Sequence, residues 1–216
     1  MWVVATQSLS TAAAVLVPAW PSQASLLAPV AVGLWCVGLL LYLMVVALIL
    51  LRWLTVPMTP ATLGPPYWIL MGATAISVLA GARDLTLPAD IPVVRATTGF
   101  VEGFSFALWA FGTWWIPLLV ILGLWRHIRR HWPLSYEPTL WSVVFPLGMY
   151  SVATLTFGKT AHLTFMPPLA RFMLWVAVAA WILVAAAFLA RLARQPGKPA
   201  PGAPAGPGTT TTTTTA

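Results

Sequence analysis

Six apolar runs follow one another along the chain, and several are longer than the roughly 18 residues typical of a membrane span. The pattern predicts an all-α integral membrane protein with six transmembrane helices, paired as three helical hairpins. The predicted transmembrane domain covers residues 1–194. Its predicted spans are about 2–17, 29–54, 66–82, 97–127, 139–158 and 169–193.

The apolar runs alternate in character along the chain. The first, third and fifth are lean, because they are rich in small and hydroxylated residues, whereas the second, fourth and sixth are bulky and oily. This alternation predicts lean inner helices, which pack together or line a passage, and oily outer helices that face lipid. Gly99 and Gly103, at the start of the fourth run, have the spacing that permits close contact between helices.

The fifth run is interrupted in its first half. Pro146 lacks an N–H, and its ring clashes with the carbonyl of Ser142 in a helix. Phe145 precedes the proline and shares a helical face with Gly148. Two interpretations stay open, namely close helix packing and a pore wall with Phe145 as its plug. The candidate pore residues are Phe145, Pro146, Gly148 and Ser151 in this run, with Gly72 and Ser77 in the third run.

Composition supports the membrane assignment. Only 7% of residues are charged and 60% are hydrophobic, which excludes an ordinary soluble domain. The strands of a β-barrel alternate polar and apolar residues, and because the sequence lacks this alternation, a β-barrel is excluded as well. The net charge of +7 comes from residues between the spans, so the predicted partner is the lipid bilayer and not nucleic acid. Basic residues, among them Arg126, Arg129 and Arg130, are more numerous in the loops on one side, and this bias predicts that both termini lie in the cytoplasm. The predicted location is the plasma membrane.

Few acidic or histidine residues lie where they could serve as functional groups. Glu102 lies near the outer end of the fourth span, where an acid is either functional or simply within reach of water. Arg83 and Asp84 are expected to form an interfacial charge pair. His127 and His131 are four residues apart, but among arginines they indicate an interfacial basic segment rather than a metal site.

The sequence contains no nucleophile paired with a base, no phosphate-binding glycine loop and no CxxC pair. We therefore predict neither an enzyme nor a bound cofactor or metal. Residues 195–216 are rich in proline, glycine and threonine, and this composition predicts a disordered tail.

Three segments resemble the tellurite-resistance/dicarboxylate transporter family, which includes malic acid transport proteins, sulfite pumps and slow anion channels. They read PPYWILMGATAISVLAGARDL, FALWAFGTWWIPLLVILGLWRH and LWSVVFPLGMYSVATLTFG. The resemblance implies a fold of ten spans in five hairpins, with odd spans around a central pore, usually in a trimer. This chain is similar to the last six spans, and the phenylalanine that blocks the family pore corresponds to Phe145.

The resemblance implies transport of small anions, such as C4-dicarboxylates, tellurite or sulfite-like species, through a pore gated by Phe145. Channel and proton-coupled carrier are both open. About four N-terminal spans of the family pattern have no counterpart in this sequence. The alternative is therefore a truncated, non-transporting membrane subunit with a structural role.

Overall fold

The computed structural model describes residues 1–133 and 135–194, and every regular element in these ranges is helical. The six main helices are α1 (Trp2–Leu16), α2 (Ala24–Thr55), α3 (Ile69–Asp84), α4 (Pro92–Leu124), α5 (Trp141–Thr160) and α6 (Met166–Ala193). Short 3₁₀ turns cover Pro21–Gln23, Pro65–Trp68 and Pro138–Leu140, and a π-helical turn, Trp125–Arg129, extends α4. The predicted disordered tail lies outside the described residues.

Five helices in the described ranges, α2 to α6, are long and apolar enough to cross a membrane, where α3 is counted together with the 3₁₀ turn that precedes it, as Pro65–Asp84. At 1.5 Å per residue, the 32 residues of α2 extend about 48 Å, beyond the roughly 30 Å of the hydrocarbon layer. The 15 residues of α1 reach only about 22 Å, and Pro18 and Pro21 follow its end. The prediction of an all-α integral membrane protein is confirmed, with five long helices and one shorter one.

Several helices begin earlier than predicted because proline is accepted near a helix start. α4 begins at Pro92 rather than at residue 97, and α6 begins at Met166 rather than at residue 169. α2 begins at Ala24, whereas the predicted span begins at Pro29. Pro29 therefore lies inside the helix and does not mark its start.

α3 is the centre of the fold, since it packs against α1, α2, α4 and α5. Between residues 70 and 82, every residue except Leu79 is buried. α6 packs mainly against α5 and leaves large side chains such as Trp175 exposed. The third and sixth helices therefore have the inner and outer positions that their compositions predict.

Small residues allow the helices to approach closely. A methyl group added at any of several buried glycines would lie within 3.0 Å of a side chain from another helix, which leaves no room for even alanine without a shift. These contacts are Gly38 with Gln7, Gly72 with Pro146, Gly81 with Ser105, Gly112 with Thr74, and Gly158 with Met166. Gly99 and Gly103 are exposed with open space beside them, so the close contact expected there is not made among the described residues.

Polar side chains join the oily helices to the lean ones. The Trp35 indole N–H donates to the Ser77 carbonyl at 2.9 Å, which links α2 to α3. The Trp109 indole N–H donates to the Thr154 hydroxyl at 3.0 Å, which links α4 to α5. Hydrogen bonds between helices contribute modestly to stability in a membrane, so here they mainly fix the rotation of each helix.

Candidate functional site

A groove of about 270 Å³ lies where α1, α3 and α5 approach one another. Its wall is mostly apolar and is formed by Met1, Val4, Ile69, Gly72, Trp141, Ser142, Phe145 and Pro146. All three contributing helices are the lean ones, and the outer helices α2, α4 and α6 do not line the groove. The groove brings together three of the residues that the sequence singled out, Gly72, Phe145 and Pro146.

Phe145 lies on an open face of α5. Its side chain is 52% exposed, and Val152, two turns further along, is exposed as well. A methyl group added at Gly148, between them, would meet nothing within 4 Å. One large ring therefore projects from a face that is otherwise shallow around Gly148, as the spacing of these residues predicts.

Gly72 and Pro146 form the floor of the groove by touching each other. A methyl group at Gly72 would lie 3.0 Å from Cγ of Pro146, so α3 and α5 are in direct contact there. Gly72 thus serves helix packing and groove lining at the same position. Close helix packing and lining of a passage, the two interpretations of the small residues, are therefore compatible at Gly72.

The proline break opens onto the groove. Pro146 lies inside α5, where it has no N–H to donate to the carbonyl of Ser142. Ser142 is part of the groove wall. Pro146 therefore cannot donate to the Ser142 carbonyl, and both residues line the groove.

The other candidate residues lie away from the groove. Ser77 and Ser151 are buried, and their hydroxyls donate to carbonyls one turn earlier in their own helices, at 2.8 and 3.0 Å. Glu102 is exposed on α4, a helix that does not line the groove. The two serine hydroxyls therefore bond within α3 and α5 and do not form part of the groove surface.

The expected charge pair between Arg83 and Asp84 is wrong. Asp84 is buried, and both its carboxylate oxygens lack a hydrogen-bond partner among the described residues, whereas Arg83 is exposed. Adjacent residues on a helix point in directions about 100° apart, so these two side chains diverge instead of pairing.

The two histidines at the end of α4 do not share a helical face. The π-helical turn ends at Arg129, and His131 follows it with a positive φ of 50°. His127 Nδ1 lies 3.0 Å from the Trp132 carbonyl, and since a carbonyl only accepts, Nδ1 carries the proton and donates. This hydrogen bond folds Trp132 back toward the helix.

Arg126 lies beside this histidine and is buried. The sequence analysis predicted only an interfacial positive charge at this position, so it missed the burial of Arg126.

A central lean helix, surrounding apolar helices and a groove among the lean ones define a multi-pass α-helical membrane protein. A sequence profile of the SLAC1 family, described as a voltage-dependent anion channel, matches residues 1–189. The chain belongs to this family of channels and transporters, which confirms the resemblance seen in the sequence. Membership in the family supports anion transport in general.

Relatives of two kinds match the chain. The uncharacterized membrane protein Rv1735c of Mycobacterium tuberculosis is 48% identical over 157 residues, which is 73% of this chain and 79% of that protein. The uncharacterized transporter MJ0762 of Methanocaldococcus jannaschii is 28% identical over 120 residues, or 56% of this chain and 33% of that protein. No solved structure matches the chain.

Proposed function

We propose that the chain forms part of a pathway for small anions across the membrane, with the groove between α1, α3 and α5 as its wall. The observation that supports this most is the position of Phe145, a half-exposed ring at the proline break of an inner helix. It occurs in a member of a family described as a voltage-dependent anion channel.

In this proposal Phe145 acts as a gate. The ring occupies the route beside Gly148, and a change in its rotamer opens the route without moving a helix. Gly72 keeps the wall shallow opposite it. The backbone near Ser142 offers polar groups to a partly dehydrated ion, but a free carbonyl favours cations. The choice of anions, including C4-dicarboxylates, tellurite or sulfite-like species, therefore rests on the family.

The groove is open on one side, so we propose that further helices complete the pathway. The trimer that the resemblance implies would bring helices of other copies to this side. The alternative, a non-transporting membrane subunit, uses the same open face for assembly alone. Flux and particle mass measured on one reconstituted sample separate these possibilities.

Phe145→Ala is expected to raise anion flux. Removing the ring widens the proposed route beside Gly148, and an increase of about tenfold corresponds to a barrier lowered by about 1.4 kcal/mol. The purified chain is reconstituted into liposomes, and uptake of labelled malate, sulfite and tellurite is measured. Native mass spectrometry of the same sample reports the number of chains in the particle.

The matched control is Phe172→Ala, which removes an exposed ring from α6, outside the groove. Its flux is expected to equal that of the unmodified chain. Equal flux in Phe145→Ala and the unmodified chain would remove Phe145 as a gate. An absence of flux in all three proteins would favour the non-transporting subunit.

We also propose that both termini and the basic end of α4 lie in the cytoplasm, at the plasma membrane. Asp90 is exposed just before α4, and Arg130 is exposed just after the π-helical turn that extends α4. With Cys36→Ser as background, Asp90→Cys is expected to react with an impermeant maleimide in intact cells, whereas Arg130→Cys reacts only after lysis. The reverse pattern would invert the topology.

A further inference from the structure

We propose that a phosphate group binds in a small cavity beside Arg126, at the end of α4. The cavity has a volume of about 120 Å³ and lies between the 3₁₀ turn Pro65–Trp68, the end of α4 and the start of α5. Arg126 and His127, in the π-helical turn that extends α4, are among its polar lining residues. It shares no lining residue with the groove, so this proposal does not rest on the proposed transport function.

Arg126 is a buried cation whose hydrogen bonds are incomplete. The residue is only 6% exposed, and its Nε has no hydrogen-bond partner among the described residues. Its Cζ lies 5.2 Å from the centre of the Trp132 ring, so one face of the guanidinium is covered. A buried charge is costly unless it is paired and hydrogen-bonded, so the site is incomplete as it stands.

Gly64 keeps the cavity open on the opposite side. A methyl group at Gly64 would lie 3.8 Å from Nη1 of Arg126, so a larger side chain there would fill the space in front of the guanidinium. The hydrogen bond from His127 Nδ1 to the Trp132 carbonyl holds the tryptophan over Arg126. Arg126 is among the residues that line the cavity, and its Nη1 is the guanidinium atom nearest to Gly64.

The acids of the chain do not neutralise this end of the molecule. Only Glu137 lies near it in the sequence, and its Oε2 accepts a hydrogen bond from Thr139 at 3.2 Å. Arg129 and Arg130 are exposed next to Arg126, and both add positive potential. The other three acids are Asp84, Asp90 and Glu102, at the end of α3, in the α3–α4 connection and in the first half of α4.

A phosphate group fits these features. The planar fork of a guanidinium binds two phosphate oxygens at once, and cavities between helices at a basic membrane surface bind anionic lipid headgroups. The position of the cavity, at a helix end flanked by Trp125 and Trp132, is where headgroups lie. The same chemistry would hold a free phosphate ion that reaches the cavity from water.

The test uses the purified full chain in detergent, with thermal unfolding followed at constant ionic strength. It is titrated with dihexanoyl phosphatidylglycerol, with dihexanoylglycerol, which lacks the phosphate, and with inorganic phosphate. We expect saturable stabilisation by the phosphate-bearing lipid and none by dihexanoylglycerol. Arg126→Gln is expected to weaken the apparent affinity by about tenfold or more, as for loss of a hydrogen bond to a charged group.

Arg129→Gln is the matched control, because it makes the same charge change at an exposed neighbour. It is expected to bind like the unmodified chain. Stabilisation by the lipid alone identifies a headgroup, whereas stabilisation by inorganic phosphate identifies a soluble ligand. The proposal is overturned if the unmodified chain responds to neither, or if the two glutamine variants respond alike.

A second variant covers the case in which Arg126→Gln does not fold. Arg126→Lys keeps the charge but loses the two-pronged geometry, so its affinity is expected to fall between those of the other proteins. An affinity equal to that of the unmodified chain would show that Arg126 supplies charge alone and would overturn the bound geometry. Retention of phosphatidylglycerol by the unmodified chain in native mass spectrometry gives an independent measurement.

Discussion

Gly158→Ala is expected to lower the free energy of unfolding by about 1–3 kcal/mol, the usual cost of overpacking a close contact. A methyl group there would lie 2.5 Å from Cβ of Met166, where α6 begins. A Cβ atom cannot rotate away, so the α5–α6 connection must shift to accommodate it. The change is measured by titrating the purified protein with SDS in mixed micelles.

Gly148→Ala is the control on the same helix. Nothing lies within 4 Å of a methyl group at this position. Alanine is the better helix former by up to about 1 kcal/mol, so this variant is expected to be as stable as the unmodified chain or slightly more so. Equal losses in the two variants would contradict the close contact between Gly158 and Met166.

Trp35→Ala is expected to destabilise the protein by about 3–5 kcal/mol, the range for removal of a large buried ring. Trp35 is fully buried between α2 and the central helix, and its indole N–H donates to the Ser77 carbonyl. The variant leaves a cavity beside α3, because neighbouring helices relax only partly. In a bilayer the loss is mainly one of van der Waals contact.

Trp175→Ala is the matched control, because it also removes a tryptophan side chain but from an exposed position. Trp175 is 72% exposed in the described part of the chain. The free energy of unfolding is expected to fall much less than in Trp35→Ala, because this exposed ring contributes less to the contacts between helices. Both variants are compared by SDS titration. A loss in Trp175→Ala as large as that in Trp35→Ala would show that α6 has a partner beyond this chain.

The helices could be predicted from the sequence because membrane insertion depends on local properties. A run of apolar residues long enough to cross the hydrocarbon layer forms a helix wherever it lies in the chain. The small residues of α3 likewise predict its inner position, since lipid gives them little to pack against. The ends were less predictable, because Pro92 and Pro29 lie within or at the start of helices and do not separate them.

The site was predicted only in part, since it depends on which helices become neighbours. The face that carries Phe145 and Gly148 follows from spacing within one helix. The contact of Gly72 with Pro146 requires the mutual rotation of α3 and α5, which the sequence does not encode locally. The burial of Asp84 and Arg126 depends in the same way on surrounding elements, so both were read from the sequence as surface charges.

The enclosure of α3 bears on how the protein is made. α3 is the least apolar of the five long helices, and it is also the one with the largest buried share. It therefore gains little by leaving the translocon for lipid alone, and its neighbours provide most of the favourable contacts. We therefore expect α3 to insert stably together with the helices that pack against it, which are α1, α2, α4 and α5.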